Sequence, residues 1–334
     1  MRATLLETTE RYAPWLLVLA GIALVARGLG SVLPYATPLI LAVTLGLVVG
    51  NALSIPRWVE PGADTHKLWL EAGIVLMGAR ISIGTVLGVG LELLAVTLSG
   101  VLVTILVVET LSRTVFGIKG KLGSLLAAGA GICGVSAVVA VAGSIRADER
   151  HVAYAAGTVL LFDVVTLFAY PVVGASLGLT DRVFGIWAGI TMFSTGPVTA
   201  AGFTVSETAG EWATVTKVTR NLLLGLLVGG YSLVYADTAE DFSVRTLWDS
   251  LPTFVLGFVA LIVLTSTSFV SPRATQELTN AYRWLFLLAF AGLGLEIDIG
   301  ELRATGIEPV VIVSAALLVA SVVTLSVLGL VFSA

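Results

Sequence analysis

The sequence predicts an all-α polytopic membrane protein of about eleven transmembrane helices, with inverted repeats and discontinuous helices. Two observations of composition and one of pattern carry the class. The 334 residues are 57% hydrophobic and 12% charged, against about 25% charged in a soluble globular chain. The mean hydropathy is +1.01. The apolar runs are long and continuous, without the dyad alternation of barrel strands. With no water in hydrocarbon to satisfy the backbone, spans of that kind must be helices.

The helical segments fall at 14–34, 37–53, 67–88, 91–112, 121–146, 151–177, 182–202, 207–235, 250–270, 278–299 and 308–332. The loops between them are short, so residues 1–334 read as a single integral membrane transporter domain. Arg2 and Arg11 precede an apolar stretch with no small-residue cleavage site, so the first segment reads as a retained span. Lys and Arg gather in alternate loops. One side receives Arg2, Arg11, Arg57, Lys67, Arg113, Lys119, Lys121, Arg182, Arg245 and Arg303, the other Arg146, Arg150, Arg273 and Arg283. The positive-inside rule then places the N-terminus in the cytoplasm of a multi-pass plasma membrane protein, with the C-terminus outside. A re-entrant 182–202 would flip the C-terminal end.

Met77-Gly78-Ala79-Arg80-Ile81-Ser82-Ile83-Gly84 matches Leu293-Gly294-Leu295-Glu296-Ile297-Asp298-Ile299-Gly300, and at the same offset Gly90 meets Gly306 and Glu92 meets Glu308. Such repeats, run in opposite directions, build the two gates of many secondary transporters. Chance similarity between glycine-rich helices gives the same match.

Two segments carry signs of interruption. In 121–146 the run Gly129-Ala130-Gly131-Ile132-Cys133-Gly134-Val135-Ser136 holds three glycines, each weakening a helix by nearly 1 kcal/mol relative to Ala. A half-helix starting near Gly134 would aim free N–H groups and a positive dipole end at a cavity, with the Ser136 hydroxyl as a further donor to an anion. Close helix packing explains the same glycines. In Phe193-Ser194-Thr195-Gly196-Pro197 a new helix can start at Pro197, capped by Ser194 or Thr195; an ordinary proline kink is the alternative.

Ionisable residues inside spans are costly and usually face a cavity or a partner. Arg80 could supply a forked contact to an oxyanion. Lys217 and Arg220 share a helix face and repel unless an anion or carboxylate lies between them. Asp163, within Leu160-Leu161-Phe162-Asp163-Val164-Val165, is the carboxylate best placed to carry a coupling proton. An ion pair of Asp163 with Lys217 or Arg220 is the structural alternative.

Other chemistry is missing. No Gly-x-x-x-x-Gly-Lys loop is present for ATP-driven pumping, and no basic patch for nucleic acid. One cysteine, Cys133, allows no internal disulfide, and two histidines cannot make a multi-histidine metal centre. Spacing leaves a Cys133–His151 nucleophile pair open.

Ile132-Cys133-Gly134-Val135-Ser136-Ala137, with Ala147-Asp148-Glu149 and Tyr170-Pro171 after it, resembles the YeiH-like sulfate exporter family. So do Leu76-Met77-Gly78-Ala79-Arg80-Ile81-Ser82, Phe184-Gly185-Ile186-Trp187-Ala188-Gly189, Lys217-Val218-Thr219-Arg220-Asn221-Leu222-Leu223-Leu224 and Gly292-Leu293-Gly294-Leu295. The resemblance implies the crossed broken helices of sodium–proton antiporters and bile-acid symporters. The chain departs from it where Phe193 and Ser194 replace a family His and Asp, where Gly143-Ser144-Ile145 replaces Pro-Val-Ile, and where Asp163 replaces a small residue.

The expected function is secondary transport of a small oxyanion, sulfate or a sulfonate. The expected substrate contacts are Arg80, Gly131, Cys133, Gly134, Ser136, Ser194, Thr195 and Gly294, and the coupling residues are Asp163, Lys217 and Arg220. The expected partners are that anion, a coupling proton or sodium, and the lipid bilayer; no cofactor or metal is called for, and a homodimer is left open. A cation/proton antiporter on the same scaffold and an intramembrane enzyme using Cys133 are the alternatives.

Overall fold

The computed structural model describes residues 2–33, 37–53, 65–118, 120–235, 252–267, 270–302 and 306–332. Regular structure among them is helical throughout. In chain order the helices are α1 (Arg2–Val32), α2 (Pro38–Ala52), α3 (Thr65–Met77) and α4 (Ile83–Thr110). Next come α5 (Lys121–Gly131), α6 (Val135–Ile145), α7 (Glu149–Ser176), α8 (Asp181–Thr191), α9 (Thr195–Val205), α10 (Glu207–Asn221) and α11 (Leu224–Tyr235). The last are α12 (Thr253–Thr265), α13 (Pro272–Glu296), α14 (Ile299–Leu302) and α15 (Ile307–Phe332). Each predicted segment overlaps helix, but 67–88 breaks at 78–82 and its end runs on into 91–112 within α4. Among the described residues, six helical stretches are long and apolar enough to cross a membrane: 13–32, 90–115, 149–176, 207–235, 272–296 and 307–330. Of the basic residues behind the predicted orientation, Arg57, Lys119, Arg245 and Arg303 lie outside the described residues, as do the side chains of Arg2 and Arg11.

The chain forms two compact units. One comprises Met1–Val86 with Phe254–Ile299, the other Leu87–Thr253 with Gly300–Ala334. In the first, α13 packs on α1, α2 and α3. Small residues bring α2 and α13 close: a Cβ on Gly46 would lie 3.0 Å from the Gly294 Cα. Asn51 closes the end of α13, donating to the Ile297 carbonyl at 2.7 Å and accepting the Ile299 N–H at 2.9 Å. The start of α3 meets the end of α13, where His66 Nε2 and Lys67 Nζ each lie 3.0 Å from a Glu296 carboxylate oxygen. The helices that lead into the matched 77–84 and 293–300 segments therefore run antiparallel, as opposed repeats require. Arg27 stacks 4.4 Å over the Trp284 ring.

The second unit is organised by its two interrupted segments. Neither runs straight through. Lys121 Nζ at the start of α5 donates to the Arg146 carbonyl beyond the end of α6, at 2.7 Å. Deeper in, Gly129 of α5 faces the Val138 side chain of α6. The pair is thus a hairpin of two 11-residue arms, each roughly 16 Å long. The second segment does the same: Ser206 Oγ beyond the end of α9 donates to Asp181 Oδ2 at the start of α8, at 2.7 Å. The resemblance implied crossed helices; the chain instead doubles back twice.

Between the hairpins runs α7, 28 residues long and so about 42 Å. It leaves the base of the first hairpin and ends at the base of the second, so the two enter from opposite ends of the unit. Their tips meet in the middle, where Ser194 sits against Gly134. The first arm of each hairpin is shielded by protein: Gly123–Gly131 and Phe184–Phe193 are buried throughout. Backbone that stops short in mid-membrane is tolerated only in such a position. Small residues permit the packing, and a Cβ on Gly189 would lie 2.6 Å from the Thr216 Cβ of α10. By contrast Leu91, Leu98, Leu102 and Leu106 of α4 and Leu318, Val322 and Leu330 of α15 are exposed, which suits helices that face lipid.

Candidate functional site

The hairpin tips form the site, and each tip is a break with a cause. Gly134 has φ +70° and ψ −138°, a region essentially open only to glycine. It ends the first arm's turn and starts α6. At the second tip Ser194 is extended, with φ −95° and ψ 150°, and α9 begins at Thr195. The predicted start at Pro197 is two residues late, because proline is also accommodated within the first turn, where its missing N–H is not needed.

Helices that end in mid-protein leave carbonyls unpaired. Here α10, which passes both tips, supplies the donors. Lys217 Nζ donates to the carbonyls of Ile132 at 2.7 Å, Met192 at 3.2 Å and Phe193. Arg220 donates from Nε to Gly131 at 2.6 Å, from one terminal nitrogen to Met192 at 2.6 Å and from the other to Ala130. Both side chains are fully buried. The two cations therefore tie the C-terminal ends of α5 and α8 together and oppose the negative dipole end of each. Carbonyls separate their charges, not the carboxylate that the sequence suggested. Neither forms an ion pair with Asp163.

Asp163 works at the opposite polarity. It lies at the middle of α7, 4% exposed, and its Oδ1 accepts the Ser194 N–H at 2.9 Å. It thereby counters the positive end of α9. Its other oxygen, Oδ2, is buried without a hydrogen-bond partner. Asn221, one residue beyond Arg220, donates to the Thr195 hydroxyl at 3.2 Å, and its Oδ1 is likewise buried and unpartnered. The remaining helix end, the α6 N-terminus, has Gly134 where α9 has Ser194, and no carboxylate is bonded to it among the described residues. Ser136 in its first turn is exposed.

Of the predicted site residues, the structure brings together Gly131, Cys133, Gly134, Ser194, Thr195, Asp163, Lys217 and Arg220, with Ser136 beside them. Arg80 and Gly294 belong to the other compact unit. Arg80 ends a 3-10 turn there, and Gly294 is a packing glycine against the Val43 and Leu47 backbone of α2. Asn221 was missed, although an amide in an apolar run directly after Arg220 was a signal of the same kind as Asp163. Cys133 is buried at the first tip, while His151 lies beyond the far end of α6, at the hairpin's base. The arm between them is roughly 16 Å long, so no Cys–His pair forms.

A second polar cluster holds the base of the first hairpin. Glu109 of α4 accepts from Arg113 Nε at 2.6 Å, Ser124 Oγ at 2.6 Å and the Tyr231 hydroxyl at 2.7 Å. Tyr235 lies 2.9 Å from Ser124 Oγ. Glu109→Ala leaves these donors unsatisfied, at about 1–3 kcal/mol for the buried ones. Purified Glu109→Ala is expected to melt several degrees below the parent in detergent, with Tyr231→Phe losing only a fraction of that.

Comparison with known proteins places the chain. The family model described as "Conserved hypothetical protein 698" matches residues 14–313. The chain belongs to this family. A UPF0324 membrane protein of Nitratidesulfovibrio vulgaris is 31% identical over 313 residues, covering 88% of this chain and 86% of that one. One from Bartonella henselae is 31% identical over 289 residues, covering 86% and 82%. The UPF0324 membrane protein TauZ of Paracoccus pantotrophus is 30% identical over 312 residues, covering 92% and 91%. No solved structure matches. These relatives are membrane proteins by name, in accord with the helices and lipid-facing surfaces of this chain and with the resemblance carried by its motifs.

Proposed function

We propose that the chain is a secondary carrier of a small oxyanion, of the sulfate or sulfonate class, which binds where the hairpin tips meet. The charge of the buried tip cluster carries this reading. Four helix ends converge there, two of each sign and about half a charge each, and they cancel. Two full cations, Lys217 and Arg220, then stand against one carboxylate, Asp163. About one positive charge is left over on these buried side chains, a state costly to maintain without an anion. The α6 N-terminus, to which no carboxylate is bonded among the described residues, is the place for the anion to sit. Gly134, Ser136, Ser194 and Thr195 would surround it, with Lys217 and Arg220 behind.

The two hairpins also bear on topology. A hairpin adds no crossing, and two of them leave the parity of the remaining segments unchanged. The N-terminus in the cytoplasm of the plasma membrane and the C-terminus outside therefore remain the proposed orientation.

The test is uptake of radiolabelled sulfate into proteoliposomes, with a pH gradient imposed or absent. Saturable uptake supports the reading, and sulfate that stays outside under every gradient sinks it. The unpartnered oxygens of Asp163 and Asn221 favour a second reading, a cation/proton antiporter, because both accept and neither donates. In that case Asp163→Asn abolishes all transport, whereas an anion carrier retains anion exchange. An enzyme built on Cys133 makes the third reading. Cys133→Ser is expected to keep uptake near the parent level, since the thiol bonds no other side chain at the tip; full loss with intact folding would revive it.

A further inference from the structure

Asp163 has two carboxylate oxygens with different fates. Oδ1 is fixed by the Ser194 N–H, so it holds the α9 end in place whether or not the group carries a proton. Oδ2 is buried and makes no hydrogen bond, while the Ser194 hydroxyl also acts on the carboxylate. Oδ2 is the oxygen on which a proton can reside without breaking the tip, and once protonated it can donate a hydrogen bond that no protein group claims. The charged groups that act on Asp163 are Lys217 and Arg220 of α10. Cys133 at the first tip and Tyr170 of α7 act on those cations in turn. No second carboxylate acts on either cation among the described residues.

The arithmetic of the cluster then depends on the anion. With Asp163 ionised the site holds about one positive charge, which a monoanion neutralises. A dianion would overshoot, leaving a buried negative charge beside a bare carboxylate oxygen. With Oδ2 protonated the site holds about two positive charges, and a dianion fits, receiving the Oδ2–H as well. We propose that Asp163 Oδ2 is the coupling-proton site and that the anion's own charge sets the coupling: a dianion binds with one proton from solvent, a monoanion with none. The inference rests on the oxyanion reading above and gives it a stoichiometry.

The experiment uses the purified full chain in weakly buffered solution with a pH indicator. Sulfate serves as the dianion and methanesulfonate as the monoanion, and both binding and proton uptake are recorded. Sulfate is expected to take up about one proton per molecule bound, and its affinity to fall about tenfold per pH unit as pH rises, since only the protonated site accepts it. Methanesulfonate is expected to bind without proton uptake. Asp163→Asn, neutral at every pH, is expected to bind sulfate with a flat pH profile. Sulfate binding without proton uptake overturns the proposal, as does equal uptake for the two anions; both results leave the oxyanion reading standing. If neither anion binds at any pH, the oxyanion reading itself falls and takes this inference with it. Proton uptake by the parent protein decides the matter even if Asp163→Asn does not fold.

Discussion

Arg220→Ala is expected to abolish transport and to lower the melting temperature in detergent more than any other single side-chain truncation at the tips. The side chain is fully buried and serves carbonyls from both hairpins, Ala130 and Gly131 of the first and Met192 of the second. The Ala130 and Gly131 carbonyls are left bare at about 1–3 kcal/mol each, while Met192 keeps its bond from Lys217, and the two losses reach a large share of a total stability of about 5–15 kcal/mol. A fall in Tm on the order of 10 °C follows. Arg220→Lys separates charge from geometry. It keeps the cation but not the fork that spans two hairpins, and lysine is no substitute at such a site. Arg220→Lys is expected to regain some stability over Arg220→Ala but not transport. A parent-like Tm for Arg220→Ala would show that the tips are held by something else.

The fold class and the two breaks were legible because each leaves a local mark. Composition alone demands lipid as solvent. Gly129, Gly131 and Gly134 cluster within an apolar run, and Ser194-Thr195-Gly196-Pro197 reads as a cap followed by a helix start. Both marks fall at the observed tips. The doubling back was not legible. A 26-residue apolar stretch fits one crossing helix as well as two half-length arms, and the contacts that decide, Lys121 with the Arg146 carbonyl and Ser206 with Asp181, are tertiary. Their side chains read as ordinary loop residues.

The site was legible in its ionisable members and opaque in their partners. Asp163, Lys217 and Arg220 stand out because charge inside a span is costly, and all three converge on the tips. Their partners are mostly backbone. The Ala130, Gly131, Ile132, Met192 and Phe193 carbonyls carry no signature in the side-chain sequence, so the two cations looked like a repelling pair in need of an anion or a carboxylate. Arg80 and Gly294 carry marks that fit two roles. A charge and a glycine beside a matched repeat fit a substrate contact as well as a turn and a close helix approach.

Gly134→Ala is the smallest change expected to remove transport. Its backbone occupies a glycine-only region, at a cost of about 1–3 kcal/mol for any other residue. A Cβ there would also run into Ser194, lying 3.1 Å from its Cβ and closer still to its hydroxyl. Strain alone would leave a folded protein with displaced tips. Displacement matters because the same few atoms set the α6 N-terminus, the Ser194 N–H that anchors Asp163 and the carbonyls that anchor Lys217. Uptake in proteoliposomes is expected to fall at least about tenfold, the effect of roughly 1.4 kcal/mol in a binding or barrier term. The double variant Gly134→Ala with Ser194→Ala relieves the contact with the hydroxyl but not the backbone strain. It is expected to recover melting temperature more than uptake. Equal recovery of both would mean that crowding, and not the conformation of residue 134, sets the geometry of the tip.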